Sequence, residues 1–396
     1  MKKTLYLYLV IMIGLSYSCS GNENIHNESD LEIISHSSGI VEEMISSNVA
    51  DSIRYIPLET MDECLIMDIE QIKTDGDYLV IKDDKNLYVF RDNGTFVSKI
   101  GEKGLAPGNY ISILGFYLNR NEKNVVIIDN MKSKALKYAY TGEYLGEVDL
   151  DDSFLDLNFC EMSDNNMLLT NNLLPSPYTQ NPYEYQLFEC KPDEFSLKES
   201  IFTFNLGSGD VTTSRFSYYP ISYHKGHMLF MANFSNILYE FTDKIKPQYI
   251  VESVKDFPDE KYLDENKDVP LMELRKKLNE KGLSTGIRAV RELPQYILLC
   301  IDNGTLIWDK KNKKGVYNNI FEYDELELLC NLAAGVTAES YSGGLIRVLE
   351  SDIILDQKKV IENGANNELK QILNNTKMGD NPILSILYLN DHFVMD

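Results

Sequence analysis

Leu79-Val80-Ile81-Lys82-Asp83, Leu87-Tyr88-Val89-Phe90 and Phe96-Val97-Ser98-Lys99-Ile100 form one copy of a repeat on which the fold turns. The next copy of the same pattern reads Val126-Ile127-Ile128-Asp129, Leu136-Lys137-Tyr138 and Tyr144-Leu145-Gly146-Glu147-Val148. Both are short β-branched and aromatic runs separated by Asp, Asn and Gly turns, which is the pattern of antiparallel strands. Asp83 maps onto Asp129 at a spacing of 46, and Gly94 onto Gly142 at a spacing of 48. One propeller blade occupies a repeat of that length. Tyr88, Phe90, Phe96, Ser98 and Ile100 fall on one face, echoed by Leu136, Tyr138, Tyr144, Gly146 and Val148. Blades need such a face to pack on their neighbours.

Working outward, weaker copies follow. Met167-Leu168-Leu169 leads to Tyr185-Gln186-Leu187-Phe188, and Met228 to Met231 leads to Ile237-Leu238-Tyr239-Glu240-Phe241. Tyr296 to Ile301 leads through Asp302-Asn303-Gly304, itself a hairpin signal, to Thr305-Leu306-Ile307-Trp308. The expected fold is therefore an all-β propeller of four-stranded antiparallel blades; length alone admits six or seven of them. A ring of blades commonly closes by pairing an N-terminal strand with C-terminal ones, and Ile53 to Leu58 and Pro382 to Leu389 are the candidates.

Four stretches carry a family resemblance: Ile53-Arg54-Tyr55-Ile56-Pro57-Leu58-Glu59-Thr60, Ile100-Gly101-Glu102-Lys103-Gly104-Leu105-Ala106-Pro107-Gly108-Asn109-Tyr110, Phe234-Ser235-Asn236-Ile237-Leu238-Tyr239 and Asp380-Asn381-Pro382-Ile383-Leu384. Together they resemble the six-bladed β-propeller lipoproteins, relatives of the NHL-repeat propellers. The resemblance implies six blades.

The N-terminus agrees. Lys2 and Lys3 precede an uncharged run from Leu5 to Leu15, followed by Ser16-Tyr17-Ser18-Cys19. A basic start, a short apolar run and a small-residue exit read as a signal peptide, the run being about half of what spans a membrane. The Leu15 to Cys19 stretch resembles the lipobox of bacterial lipoproteins, which implies cleavage before Cys19 and its acylation, palmitate included. Ser20 to Asp30 is polar and free of aromatics, as suits a tether. The expected layout is a signal peptide over 1–18, a flexible tether over 19–48 and the propeller over 49–396, at the cell envelope and in the outer membrane.

Removing residues 1–18 takes away two lysines and no acid, so the formal net charge of −23 becomes −25. Such a field repels phosphate backbones, which argues against nucleic acid as a partner. Five cysteines follow Cys19, namely Cys64, Cys160, Cys190, Cys300 and Cys330, none of them paired at metal-ligand spacing. They read mostly as buried small hydrophobes.

In a four-stranded blade the chain reverses at every strand. Loops joining the second strand to the third, and one blade to the next, therefore lie at the same end. Gly101 to Tyr110, Asn171 to Glu184, Phe204 to Tyr218 and Val254 to Gly286 fall there, and shorter turns fall at the other end. The last of these contains a short helical insertion near 268–281, with Leu271, Leu274 and Leu278 on one stripe. Tyr178, Tyr183, Arg215, Tyr218 and Tyr219 are the candidate ligand-binding residues, since flat aromatics with polar neighbours suit sugar rings or a partner protein.

Other motifs carry no chemistry. His224-Lys225-Gly226-His227 lacks a nearby third ligand, so no metal is expected. Asp264 to Arg275 starts like a calcium loop but has Val269 and Arg275 where Gly and Glu are required. Gly101 to Gly108 lacks the Lys-Ser or Lys-Thr of a phosphate loop, and there is no G-x-S-x-G elbow. No catalytic residue and no cofactor are expected. The functional reading is a lipid-anchored, non-catalytic propeller that binds a glycan, a peptide or an envelope protein, with the membrane reached through the lipid on Cys19. Two alternatives are a propeller-fold glycan hydrolase or lyase, and a structural subunit of an outer-membrane uptake or sensing complex.

Overall fold

Every strand of the founding repeat is present, in the expected order, in the computed structural model. It describes residues 31–150, 157–162, 167–172, 184–189, 202–205, 221–224, 227–231, 234–241, 245–266, 269, 271–323, 328–330, 337–338, 342–356 and 367–391. The chain opens with β1 (Glu32–Ile34), β2 (Ile40–Ile45), a single-turn helix α1 (Ser46–Val49) and β3 (Ala50–Pro57). Five blades follow. The first is β4 (Ile69–Thr74), β5 (Tyr78–Asp83), β6 (Leu87–Arg91) and β7 (Phe96–Lys99). The second is β8 (Gly115–Asn119), β9 (Asn124–Asp129), β10 (Lys134–Ala139) and β11 (Tyr144–Asp149). The third is β12 (Leu157–Met162), β13 (Met167–Asn172), β14 (Glu184–Glu189) and β15 (Phe202–Asn205). The fourth is β16 (Ile221–His224), β17 (His227–Met231), β18 (Ile237–Phe241) and β19 (Ile245–Val251).

Helices α2 (Glu260–Glu265) and α3 (Leu271–Glu280) then intervene before the fifth blade, β20 (Ile287–Glu292), β21 (Tyr296–Ile301), β22 (Gly304–Asp309) and β23 (Lys314–Tyr323). The short strands β24 (Leu328–Cys330) and β25 (Thr337–Ala338) lead to β26 (Leu345–Leu349), helices α4 (Ser351–Asp356) and α5 (Asn367–Asn375), and β27 (Ile383–Leu389). Within each blade the four strands pair consecutively and antiparallel, as the blade reading requires.

The chain ends make a further sheet in the order β26-β27-β3. Ile383 pairs with Pro57 and Leu387 with Ile53, so the two runs expected to close the ring do pair. This sheet has three strands, which corrects the expectation of six equal four-stranded blades: five blades have four consecutive strands and the closing sheet has three. The physical reason lies in residues 58–68, which take the chain from the end of β3 to β4 without forming a fourth strand. Their polar groups bond elsewhere. Glu59 N–H donates to Gly94 O at 2.9 Å, and Leu65 O accepts from the Tyr88 hydroxyl at 3.1 Å.

First strands of neighbouring blades meet, β4 with β8, β8 with β12 and β16 with β20, which puts them innermost. Lys73 on β4 is buried over the Phe116 ring of β8, 5.3 Å from its centre, one of the ties between them. The middle strands are buried on both faces. Leu79, Val80 and Ile81 of β5, and Ile297, Leu298 and Leu299 of β21, have no accessible surface. Alternate residues feed the clusters on either side: Leu298 and Cys300 face the closing sheet, while Ile297 and Leu299 face the fourth blade. Each such side chain contributes about 1.5–3 kcal/mol by leaving water.

Two expectations need correction. The tether over 19–48 is too long, because its described part enters sheets: β2 pairs in parallel with the outer strand β23, Ile40 opposite Tyr317, and Ile34 O accepts Glu252 N–H at 2.8 Å. Ile34 and Met44, set apart from the polar Ser20 to Asp30 stretch, are buried against the blades whose edges these strands cover. The end opposite the insertions is also not confined to short turns. The β26 to β27 connection carries α4 and α5, whose Leu369 and Leu373 are fully buried in the cluster shared with the fifth blade. Their helical spacing with Ile372 was the sequence signal for that insertion.

Candidate ligand-binding site

The insertion-bearing end is fixed by the residues that mark the repeat. Asp83 and Asp129 each end the second strand of a blade, and each carboxylate accepts backbone N–H groups of the turn that follows. Asp83 Oδ1 accepts from Lys85 at 2.8 Å and Asn86 at 2.6 Å, and Asp129 Oδ1 accepts from Lys132 at 3.0 Å. Asp129 Oδ2 also takes Ile111 N–H at 2.6 Å, which ties the interblade loop to its own blade. That loop is clamped further: the Tyr138 hydroxyl donates to Gly108 O at 2.7 Å, the Tyr110 hydroxyl to Lys85 O at 3.2 Å, and Lys132 Nζ to Ala106 O and Asn109 O. Burial, ahead of any neighbouring charge, drives the Tyr110 and Tyr138 phenols upward, so both remain protonated donors.

The longest described insertion, between β19 and β20, is built on a similar plan. Asp259 Oδ1 caps α2 by accepting Tyr262 N–H at 2.7 Å. The expected helix near 268–281 is α3, and its Leu274 and Leu278 are buried on Phe234. Phe234 sits in the turn after the second strand of the fourth blade with φ +60, and the backbone of Gly286 backs onto it. Asp302, also at φ +52, holds the exit of the insertion, Oδ1 accepting Thr285 N–H at 2.7 Å and its hydroxyl at 3.0 Å. Pairing of Ile301 with Gly304 leaves Asp302 and Asn303 as the turn. Gly304 is there for space, because a Cβ would meet Asn318 O and the Tyr317 ring.

Where this insertion reaches the inner strand, β20 carries a bulge between Ile287 and Ala289, since Ile287 pairs with Ile301 and Ala289 with Cys300. Arg288 is the extra residue. Bulges at the matching point of β4, between Ile69 and Gln71, and of β12, between Leu157 and Phe159, make this a recurrent feature of first strands. The charges of Arg288, Arg291 and Arg347 all bear on the Cys300 thiol. Burial outweighs them and pushes the Cys300 thiol up, so it stays neutral. Arg275, from α3, is brought down to about 10 by burial first and by Arg288 second. Arg291 is buried and donates from Nη1 to Val290 O at 2.9 Å. Glu292, next along β20, pairs with Lys310 at 2.8 Å while its N–H bonds to Ser222 of the fourth blade.

A hollow of about 530 Å³ lies at the opposite end, between β3 and α5. Two of the acids lining it already hold turns: Glu59 Oε2 accepts Phe96 N–H at 2.8 Å, and Asp380 Oδ2 accepts Lys377 N–H at 2.7 Å. Cys64 and Cys300 are buried free thiols. Among the described residues, no three His, Cys, Asp or Glu side chains are grouped to hold a metal. Cys19, Tyr178, Tyr183, Arg215, Tyr218 and Tyr219 lie outside the described residues. The strands that flank the five candidate ligand-binding residues, β13 with β14 and β15 with β16, follow the blade order on which their placement was reasoned.

Residues 32–388 match a protein family described as a domain of unknown function, DUF4934. The fold is similar to that of an exported-protein candidate from Bacteroides fragilis, with a TM-score of 0.68 and 20% identity over 91% of this chain and 100% of that one. A member of the DUF4221 family from Bacteroides vulgatus aligns with a TM-score of 0.44 and 10% identity over 86% and 98%. Virginiamycin B lyase from Staphylococcus aureus gives 0.37 and 9% over 75% and 80%. No curated protein matches.

Proposed function

The chain belongs to the DUF4934 family, and from that premise we propose that it is an exported, lipid-anchored and non-catalytic binding protein of the cell envelope, in the outer membrane. In this reading the closing sheet counts as a sixth blade and the relatives are the NHL-like lipoprotein propellers. The observation that carries the binding role is the construction of one end of the ring. Its two described insertions, over 101–110 and 254–286, are tied down by Asp129, Tyr110 and Tyr138 and by Asp302, and the longer one brings Arg275 within electrostatic reach of Arg288 on the inner strand. Rigid loops with half-buried charge suit recognition. Export is supported by the apolar Leu5 to Leu15 run, and by the similarity to the exported-protein candidate from Bacteroides fragilis.

A glycan and peptide screen tests the binding role. The double substitution Tyr178→Ala and Tyr183→Ala is expected to weaken any hit at least tenfold, in line with aromatic anchors at interfaces. Unchanged affinity in a folded variant would remove these tyrosines from the site. For the anchor, Cys19→Ala is expected to move the protein from the membrane to the soluble fraction with its melting temperature unchanged. Retention in membranes would refute lipidation at Cys19.

A further inference from the structure

The hollow of about 530 Å³ between β3 and α5 falls within the size range of small-molecule sites, about 300–1,000 Å³. The geometry points to a binding site there for a short neutral oligosaccharide, whose hydroxyl groups would be met by Glu368, Gln371 and Asn375 of α5 and by Lys377 just after it. This site is separate from the insertion-bearing end and independent of the binding role proposed there.

Three observations support it. First, the walls of the hollow are fixed while its polar lining is unused. Glu59 Oε2 accepts Phe96 N–H at 2.8 Å, Asp380 Oδ2 accepts Lys377 N–H at 2.7 Å, and the Thr376 hydroxyl donates to Ile372 O at 2.8 Å. Asn381 N–H donates to the Thr60 hydroxyl at 2.9 Å, which ties one wall to the other. Among the described residues, by contrast, nothing bonds to the side chains of Glu368, Gln371, Asn375 or Lys377. Lys377 shares the lining with three carboxylates, of Glu59, Glu368 and Asp380, and forms an ion pair with none of them. Rigid walls with open donors and acceptors are what a preorganised site requires. Second, α5 is divided by its spacing. Leu369 and Leu373, four residues apart, are fully buried in the cluster shared with the fifth blade, while positions 368, 371 and 375, spaced by three and four, form a separate polar stripe along the hollow. Tyr55, Leu58 and Ile383 are buried and give the hollow an apolar base, which suits the C–H face of a sugar ring. Third, the lining selects by polarity. Amides donate and accept, carboxylates accept only, and an ammonium donates only. An anion would answer the donors alone, and it would face three carboxylates and the negative end of the α5 dipole. A cation would answer the acceptors alone. Neighbouring sugar hydroxyls donate and accept at once, so a neutral polyol is the class that uses every group.

The test uses the full chain in a detergent without a sugar headgroup, since such a headgroup would compete. Tetrasaccharides of cellulose, xylan, mannan, starch and chitin are titrated by calorimetry, with tetragalacturonate and tetralysine as anionic and cationic counterparts. Saturable binding of at least one neutral tetrasaccharide is expected, and tetragalacturonate is expected to bind more weakly. The double substitution Gln371→Ala and Asn375→Ala is expected to weaken the neutral sugar about tenfold or more, as the loss of two amides implies, with the melting temperature unchanged. Asn374→Ala, an exposed position of the same helix outside the hollow, is expected to bind as the parent does. Equal affinity in the parent and the double variant overturns the site. Binding that is lost in Tyr178→Ala with Tyr183→Ala and kept in the α5 variant places the sugar at the insertion-bearing end, which overturns this site and leaves the binding role of that end standing. Binding of tetralysine or tetragalacturonate in place of every neutral sugar overturns the ligand class. Failure of every neutral tetrasaccharide to bind overturns the proposal, whatever the insertion-bearing end binds.

Discussion

Gly94→Ala is expected to destabilise the propeller by about 2–5 kcal/mol, measured as a lowered urea midpoint with an unchanged slope. Gly94 lies in the turn between β6 and β7 at φ +87, where an L side chain costs about 1–2 kcal/mol. Its added Cβ would also fall inside the van der Waals envelope of Pro57 O, the last residue of β3. That neighbour is backbone in the closing sheet, and Gly94 O itself accepts Glu59 N–H, so no flexible side chain can move aside. The equivalent Gly142, at φ +86, backs onto Lys99 O of the preceding blade at 3.0 Å. Gly76, at φ +96, has nothing within 4 Å of its Cβ position. The expected order of loss is therefore Gly94→Ala, then Gly142→Ala, then Gly76→Ala, the last showing the backbone cost alone. Equal losses at all three would mean that interblade contact contributes nothing at these turns.

The same pair of glycines shows why so much of the fold was legible. Gly94 with Gly142, and Asp83 with Asp129, recur because each blade must turn and lean on its neighbour in the same way, so geometry leaves a period in the chain. Closure was legible for a related reason: Ile53 to Leu58 and Pro382 to Leu389 are strands with no partner within a repeat. Edge pairing was not. β2 has an exposed outer face, and it joins β23 in parallel from far away in sequence, so alternation gives it little signal. That Arg275 comes within electrostatic reach of Arg288 was illegible for a sharper reason. The two positions form no motif, and Arg288 is the extra residue of a bulge that is invisible in sequence. Of the candidate site, then, sequence reasoning reached the end of the ring and its helix, through the loop lengths and the Leu274 and Leu278 stripe. It did not reach the charges.

Asn381→Ala is expected to cost about 3–5 kcal/mol, a loss comparable to that at Gly94, because one buried amide binds three segments of the closure. Its Nδ2 donates to Glu59 O and to Cys64 O, each at 2.8 Å, and its Oδ1 accepts Ile66 N–H at 2.8 Å. Its own N–H donates to the Thr60 hydroxyl at 2.9 Å, and its carbonyl accepts from the Ser351 hydroxyl at 2.6 Å. These bonds hold the 58–68 crossover, the start of α4 and the start of β27 together, at the point where the fourth strand of the closing sheet is missing. Alanine leaves the backbone bonds but strands Cys64 O, which is buried, and the Ile66 N–H, while Glu59 O keeps the Cys64 thiol as a donor at 3.2 Å. Asn381→Asp separates the two halves of the amide. The carboxylate still accepts Ile66 N–H but faces two carbonyl oxygens, so its folded pKa is raised above the unfolded value. A raised carboxyl binds more protons in the folded state, so its penalty is absent below the unfolded pKa and grows as pH rises through the window above it. The stability gap between parent and Asn381→Asp is therefore expected to be wide at pH 7 and to narrow as pH falls toward 4, while the gap for Asn381→Ala stays constant. Urea midpoints for the three proteins at both pH values decide it. A gap for Asn381→Asp that does not change with pH would show that the two carbonyls find other donors, and that the ring closes without this amide.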